Sequence, residues 1–350
     1  MKKILAILVA LILLLSVIGC ESSKPADSNN TSPEKKIKIG MIVDILGANS
    51  FLSDAAAGFK AAAEAHNYEY RVVECADDAA YTENARALVN EQFDLIVGIG
   101  WKSGDAMTTI AKDYPDAAAY AAIDTIIEAE NVKCIGFYEQ EGAYLIGLAA
   151  ALVVDGESSN YGAVHATQSA ASWKWRYAYM QGVLSVDPNA KFVFNYVNSY
   201  ADPATAKELA LQQYELGCMF INAACSGGDY GVFEAAAEKN FYTSGQDVDL
   251  TNPSNPNIVT CQIKDTFAAV TYVVNAFASG NWDTTNSTLG IADGAIGAVY
   301  VTHESKNPRS SRLSDDDISK LQKAANDIKS GTINLRSLPD EDSFVVPAIK

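Results

Sequence analysis

Polar side chains that can bind a ligand follow several predicted strands of this 350-residue sequence. Asp44, Asp124, Tyr200 and Asp247 each lie just after a run of apolar residues. In open α/β sheets, ligands bind at the carboxyl ends of the strands, where a carboxylate can accept hydrogen bonds from hydroxyl groups. Each Asp taken alone also suits a helix cap or a turn. Three of them at comparable strand ends favour a ligand-binding site.

The residue patterns of common enzymes are missing from the sequence. It contains no Gly-x-Ser-x-Gly, no His-Glu-x-x-His and no phosphate-binding Gly-x-x-x-x-Gly-Lys-[Ser/Thr] motif. The histidines at positions 66, 165 and 303 lie far apart, although His165 ends a predicted strand and could line a cleft. Glu139 and Glu141 resemble a glycosidase acid pair, but acids in a first helical turn also stabilise the helix N-terminus. We therefore predict a binding protein with no catalytic residue, metal ion or cofactor.

The elements that must position these residues alternate between strand and helix. Near-continuous apolar runs between helical segments are typical of parallel sheets covered on both faces. The first series predicts strands at 37–44, 68–74, 93–98 and 118–124, with helices at 53–66, 79–92 and 104–114. The second predicts strands at 161–165, 191–197, 218–223 and 241–245, with helices at 173–184, 203–216 and 231–239. Two such series predict an α/β fold of two doubly wound lobes joined by a multi-segment hinge.

The boundaries between the lobes are predicted from polar turns and from the order of elements. A helix over 141–154 ends at the polar turn 155–160, which we expect to mark the first crossover. We expect the chain to return to the first lobe near residue 256, with Lys264 opening a helix, and to cross back over 294–301. The predicted lobe 1 is thus 37–157 plus about 256–288, and the predicted lobe 2 is 158–255 plus about 289–350.

The N-terminus predicts export and a lipid anchor. Basic residues at positions 2 and 3, an apolar run over 4–18 and Gly19 before Cys20 form a secretory signal that is too short to span a bilayer. Residues 17–20 (VIGC) resemble the bacterial lipobox, in which the Cys thiol is diacylated. We predict a signal peptide over 1–19, a lipid anchor at Cys20 and a flexible linker over 20–36. The protein is then expected on the extracytoplasmic face of the cell membrane.

The net charge and the cysteine spacing argue against several kinds of partner and site. Removing residues 1–19 takes away two lysines and no acid, which leaves 24 basic and 43 acidic residues. This excess of acids argues against nucleic acid as a partner. After Cys20, an odd number of cysteines remains, and none has zinc or redox spacing. We interpret them as small buried hydrophobic residues.

Several segments together resemble one known family. The strongest are 118–124 (AAYAAID) and 136–147 (GFYEQEGAYLIG), followed in order by 199–203 (SYADP), 231–236 (GVFEAA), 245–247 (GQD) and 290–297 (GIADGAIG). Over residues 37–302 the sequence resembles the basic membrane protein family of lipoproteins. This family is the nucleoside-binding branch of type I periplasmic-type binding proteins. The resemblance implies a type I periplasmic-binding-protein-like fold, an ABC permease as partner and a monomer that captures its ligand by closing two lobes.

The resemblance also implies a binding site. It places Asp44, Asn49, Ser50 and Phe51 in the first ligand loop, with Phe51 stacking on a base. Leu52 stands where the family has an Asn.

Further residues follow from the same resemblance. It assigns Asp124 to the base edge, Trp175 to the opposite face of the base, and Asp247 with Lys264 to the ribose; Tyr200 lies in a matching loop. Two aromatic faces suit a flat purine, and a carboxylate with an ammonium suits ribose hydroxyls. The rings of residues 173, 175 and 179 cannot all share one helical face, so some must point elsewhere, and a cleft is the natural place.

Two alternatives remain open from the sequence. The same fold could bind a sugar, a modified nucleoside or another small metabolite, and the replacement by Leu52 motivates this alternative. A lipoprotein signal receptor or adhesin without a transport role is the other alternative.

Overall fold

The computed structural model describes residues 36–47 and 49–349. The expected signal peptide, Cys20 and nearly all of the expected linker lie outside these residues. Within the described ranges, no helix is both long and apolar enough to cross a bilayer. The five cysteines there, at positions 75, 134, 218, 225 and 261, are buried and unpaired, as expected for small hydrophobic residues.

A six-stranded parallel sheet forms the centre of the first lobe. Its strands run in the order β11-β5-β4-β3-β1-β2. They are β1 (Lys38–Asp44), β2 (Glu69–Cys75), β3 (Leu95–Ile99), β4 (Ala119–Ile123), β5 (Val132–Phe137) and β11 (Ser287–Leu289). Helices α1 (Ser50–Ala65), α2 (Asp78–Asn90), α3 (Gly104–Asp113) and α8 (Thr266–Ala278) cover it. The apolar strands are buried because helices cover both faces of the sheet.

A second six-stranded sheet forms the centre of the second lobe, in the order β12-β10-β9-β8-β6-β7. Its strands are β6 (Asn160–His165), β7 (Lys191–Tyr196), β8 (Phe220–Ala224), β9 (Tyr242–Gly245), β10 (Ile258–Lys264) and β12 (Ile296–Ala298). Only β12 is antiparallel to its neighbour. The helices are α4 (Glu139–Val154), α5 (Ala170–Leu184), α6 (Pro203–Glu215), α7 (Asp229–Lys239) and α9 (Asp315–Lys329).

The two sheets have equivalent strand orders, so strand ends in one lobe have counterparts in the other. The order β2-β1-β3-β4-β5 in the first sheet matches β7-β6-β8-β9-β10 in the second. Asp44 at the end of β1 therefore corresponds to His165 at the end of β6. Asp124 and Asp247, just beyond β4 and β9, both have a left-handed backbone, with φ of 63° and 68°. Few residues adopt this conformation, although Asp does so more readily than most.

Helices α4 and α5 pack closely because glycines allow it. A Cβ on Gly147 would lie 2.0 Å from the carbonyl oxygen of Tyr179, and one on Gly182 would lie 2.1 Å from that of Tyr144. Helix α4 is apolar around its whole circumference and nearly every residue of it is buried, as expected for a helix enclosed by protein. It packs on α5 and on strands β10 and β12.

The chain crosses between the lobes at other positions than two of the sequence predictions gave. Helix α4 packs on the second sheet, so the first crossover lies between β5 and α4, and the prediction that it follows this helix at 155–160 is wrong. Strand β10 pairs with β9 in the second sheet, so a return to the first lobe near residue 256 is also wrong. Lys264 ends β10 and does not open a helix; the chain returns just after it, at Thr266. In the described chain, a third crossover follows β11.

Candidate ligand-binding site

A cleft of about 670 Å³ lies between the carboxyl ends of the two sheets. Its volume is in the range of small-molecule binding pockets. Eight of the nine residues that the sequence predicts as ligand contacts line it: Asp44, Asn49, Phe51, Asp124, Trp175, Tyr200, Asp247 and Lys264. Ser50 does not line it. These residues lie together because the carboxyl ends of the strands of both sheets face the same cleft.

The loop before α1 forms part of the first-lobe wall. Asn49 caps the helix, because its Oδ1 accepts a hydrogen bond of 3.2 Å from the backbone N–H of Leu52. This cap fixes the start of α1 and places Phe51, which is 8% exposed, in the wall of the cleft. Leu52 also lines the cleft and offers no polar group there. Asn49 therefore has a structural task whether or not it contacts a ligand.

Asp44 forms an ion pair that the sequence did not indicate. Its Oδ2 lies 2.6 Å from Nζ of Lys102, and its Oδ1 accepts from the N–H of Ile45. Lys102 follows the end of β3, where Gly100 turns the chain with a φ of 77°. Trp101, in the same turn, lines the cleft although 64% of it is exposed.

Lys264 joins the two lobes at the base of the cleft. Its Nζ donates to both carboxylate oxygens of Asp124, at 3.1 and 3.3 Å, and lies 4.4 Å from the centre of the Phe51 ring. Burial lowers the pKa of Lys264, but the carboxylates of Asp124, Asp247 and Glu139 outweigh this effect and raise it. Lys264 is therefore a cation at neutral pH, and its ion pair is with Asp124.

One carboxylate oxygen of Asp247 has no hydrogen-bond partner among the described residues. Only 5% of the residue is exposed, and its Oδ2 accepts from Nε2 of Gln246 at 3.2 Å. Its Oδ1 is buried and receives no hydrogen bond from any described residue. Burial raises the pKa of Asp247 to about 6; Lys264 opposes this shift, and Asp124 adds to it. Because an unpaired buried acceptor is costly, a ligand hydroxyl is well suited to this position.

Helix α5 supplies the second-lobe wall. Ser169 and Ser172 cap each other's backbone at its start. Trp173 turns away from the cleft, and its Nε1 donates to the carbonyl of Pro339 at 2.8 Å. Trp175 lines the cleft, so the rings of this helix do point in different directions, as the sequence predicted.

A second ion pair lies beside Trp175. Nζ of Lys174 lies 2.6 Å from Oε2 of Glu139, at the start of α4. Glu139 is buried and lines the cleft. Stabilising the helix N-terminus is therefore not the only role open to it. The neighbouring Glu141 accepts from the N–H of Ile291 and pairs with Arg336, so it is not free to act with Glu139.

Further lining residues also lie at or just after strand ends. Ser226 follows β8, is 7% exposed and has a left-handed φ of 59°. Its hydroxyl has no partner among the described residues. Gln246 and His165 also line the cleft. The rule that pointed to Asp124 and Asp247 would also have found Ser226 and Gln246, whereas His165 lines the cleft as the sequence indicated it could. In the part of the chain that the structure describes, no group of three His, Cys, Asp or Glu side chains could hold a metal ion.

Comparisons with known proteins place the chain in a family. A model of the family described as "ABC transporter substrate-binding protein PnrA-like" matches residues 36–337. The "ABC transporter nucleoside-binding protein BmpA" of Lactococcus lactis is 28% identical over 251 residues, which cover 68% of this chain and 69% of that one. A "CD4+ T-cell-stimulating antigen" of Listeria innocua is 29% identical over 67% of this chain and 68% of its own length.

Solved structures support the fold. A solute-binding protein of an ABC transporter system from Aeropyrum pernix superposes with a TM-score of 0.76 at 21% identity, covering 87% of this chain and 95% of that chain. Its sequence similarity is too low to carry more than the fold. The family model, by contrast, spans most of the sequence. The chain therefore belongs to the PnrA-like family of ABC transporter substrate-binding proteins, which bind a ligand and are not enzymes.

Proposed function

We propose that this protein captures a purine nucleoside between its lobes and delivers it to an ABC permease. The observation that carries the proposal is one cleft that holds Phe51 and Trp175 on opposite lobes and the unpartnered Oδ1 of Asp247. A purine can lie between two aromatic faces, and a ribose hydroxyl can donate to the free carboxylate oxygen. The name of the Lactococcus lactis relative, a nucleoside-binding protein, supports the same ligand class.

The charges around the ribose position suit a ligand without charge. Asp124 and Lys264 neutralise each other at 3.1 Å, and Glu139 is paired with Lys174 at 2.6 Å. Asp247 has no such ion pair among the described residues. A second anion beside it would be repelled in a site of low dielectric, whereas a hydroxyl group would stabilise it. A nucleoside offers such hydroxyls.

The proposal also includes the compartment. The predicted signal peptide and the lipid anchor at Cys20 would hold the protein on the extracytoplasmic face of the membrane, where a substrate-binding subunit meets its permease. The linker to residue 36 would leave the lobes free to close around the ligand. We expect a monomer, as the family resemblance implies.

Thermal denaturation of ligand-stripped protein tests the ligand class. A ligand that binds only the native state raises the melting temperature by mass action. We expect inosine, guanosine or adenosine to raise it, and galactose, ribose and amino acids to leave it unchanged. Trp175→Leu should reduce the shift, whereas Trp282→Leu, which changes a Trp outside the cleft, should keep it. A shift with sugars or amino acids and none with nucleosides would refute the proposal.

One observation favours a second candidate. Leu52 lines the cleft at the position where the family resemblance implies an amide that could contact the base. Without that amide, a smaller ligand such as a sugar would lose fewer contacts than a base would. A sugar or another small metabolite is therefore the alternative ligand, and the same panel distinguishes it.

A further inference from the structure

His165 differs from the other two histidines in its surroundings. Nε2 of His66 lies 2.7 Å from Oδ1 of Asn275, and both ring nitrogens of His303 have partners nearby. His165 is 4% exposed and lines the cleft. Over residues 36–47 and 49–349, no group forms a hydrogen bond with either of its ring nitrogens. Because the ring lines the cleft, a ligand bound there can supply a hydrogen-bond partner for these nitrogens.

Among the described residues, the contacts that hold the imidazole are aromatic rings and not hydrogen bonds. Its centre lies 6.1 Å from that of the Phe194 ring and 6.3 Å from that of the Tyr196 ring. Behind these rings lies the buried guanidinium of Arg176, 5.8 and 5.6 Å from the same two centres, which pairs with Glu341 at 2.7 Å. The ring of His165 is therefore fixed at the wall of the cleft while its polar atoms stay available.

The position of His165 sets which part of a ligand it can meet. It ends β6, and Asp247 follows β9, with β8 between these two strands. Two spacings between neighbouring strands separate the two residues by roughly 10 Å across the sheet. A nucleoside whose ribose lies at Asp247 would extend its base toward His165. Asp44, the first-lobe counterpart of His165, ends β1 and lines the same cleft.

We propose that His165 contacts the ligand directly and hydrogen bonds the polar edge of the base that lies farthest from the sugar. The inference rests on the proposed function, since it assumes a nucleoside with its ribose at Asp247. A neutral imidazole carries one N–H donor and one acceptor nitrogen. Because neither nitrogen is committed to a protein partner, the tautomer can follow the ligand and serve either a carbonyl or an amino group on the base.

The environment keeps this residue uncharged. Burial, together with the positive charge of Arg176, lowers the pKa of His165 to about 3. The guanidinium of Arg176 is the charged group that faces it, beyond the rings of Phe194 and Tyr196. The imidazole therefore keeps both its donor and its acceptor throughout the physiological pH range.

Calorimetry with inosine and with purine riboside, which lacks the ring carbonyl of inosine, tests the inference. His165→Phe keeps a ring that can pack on Phe194 and Tyr196 but cannot hydrogen bond. We expect it to weaken inosine binding about tenfold, because the carbonyl of the ligand is left unpaired, and to leave purine riboside binding unchanged. His165→Gln retains a donor and an acceptor and should restore most of the inosine affinity.

Controls separate the possible failures. His66→Gln changes an exposed histidine outside the cleft and should bind inosine as the wild type does. Melting temperatures of the ligand-free variants establish that they are folded. Equal inosine affinity in the wild type and in His165→Phe, or an equal loss for inosine and purine riboside, would overturn this inference alone. Absence of all nucleoside binding by the wild type would overturn the proposed function and this inference with it.

Discussion

Replacing Lys264 should destabilise the protein, whereas replacing Asp247 by Asn should not. Nζ of Lys264 lies 3.1 Å from Oδ1 of Asp124, and the two side chains are only 10% and 19% exposed. Lys264→Met removes the cation from this buried pair, and such a loss typically costs about 3–5 kcal/mol of unfolding free energy. Asp247→Asn removes a buried charge whose Oδ1 has no partner among the described residues, so the unfolding free energy should stay constant or rise.

Both substitutions should weaken nucleoside binding despite their opposite effects on stability. Loss of one partner from a buried charged hydrogen bond costs on the order of 2–5 kcal/mol, which corresponds to roughly 30-fold or more in Kd. The double variant should lose less than the sum of the single losses, because the two residues share one network. A free base lacks the ribose, so its weaker binding should change little.

Urea unfolding and calorimetry measure these two effects separately. Inosine and hypoxanthine serve as the matched nucleoside and base. Lys207→Met is the control, since its ion pairs with Glu234 and Glu238 are largely exposed and should contribute little to stability. Equal losses for inosine and hypoxanthine would mean that Asp247 and Lys264 shape the lobes and do not contact ribose. A stable Lys264→Met variant would refute the assignment of the buried ion pair.

Three further predictions follow from other parts of the chain. The Cys20→Ala variant should be unlipidated and absent from the detergent-soluble membrane fraction. If the variant still partitions into that fraction, the lipid anchor at Cys20 is excluded. Burial raises the pKa of Asp229 to about 8, so the folded protein holds a proton that the unfolded chain releases near its usual pKa of 3.8. The free energy of unfolding should then fall as the pH rises from about 4 to about 8, and Asp229→Asn should remove this part of the decline in urea titrations; parallel curves for both proteins would contradict the assignment. Trp101→Phe should reduce the change in tryptophan fluorescence on nucleoside binding, because Trp101 lines the cleft while largely exposed, and an unchanged signal would place the response at another Trp.

The sequence predicted the strand ends well because local patterns define them. Asp44, Asp124, Tyr200 and Asp247 lie in one cleft for the reason that made them candidates, namely their positions just after apolar strands. Local patterns do not show which of the two sheets a strand joins. Strand β10 looks like any other apolar run, and its residue pattern does not indicate whether it pairs with β9 in the second sheet, as it does, or with a strand of the first sheet.

The ion-pair partners of the buried charged residues could not be predicted from the sequence either. Lys264 and Asp124 are 140 residues apart, and a resemblance that assigns Lys264 to ribose does not reveal that its Nζ already holds Asp124. Trp101 lies just beyond β3, in a turn fixed by the left-handed Gly100, and the pattern there indicated only the approach to a helix. Local propensity places such a residue near a strand end, but only the packed lobes show which side chains reach the cleft.

Lys264 connects ligand contact to the hinge. It is the last residue of a second-lobe strand, and the chain enters the first-lobe helix α8 two residues later. Its backbone N–H donates to the carbonyl of Asp247 at 3.0 Å, while its Nζ contacts the first-lobe residues Asp124 and Phe51. A movement of the lobes that separates Asp124 from Lys264 must therefore break a buried ion pair. Because the same ammonium faces the proposed ribose position, a hydroxyl bound there would act on the contact that holds the lobes together, and one side chain would couple capture of the ligand to closure of the cleft.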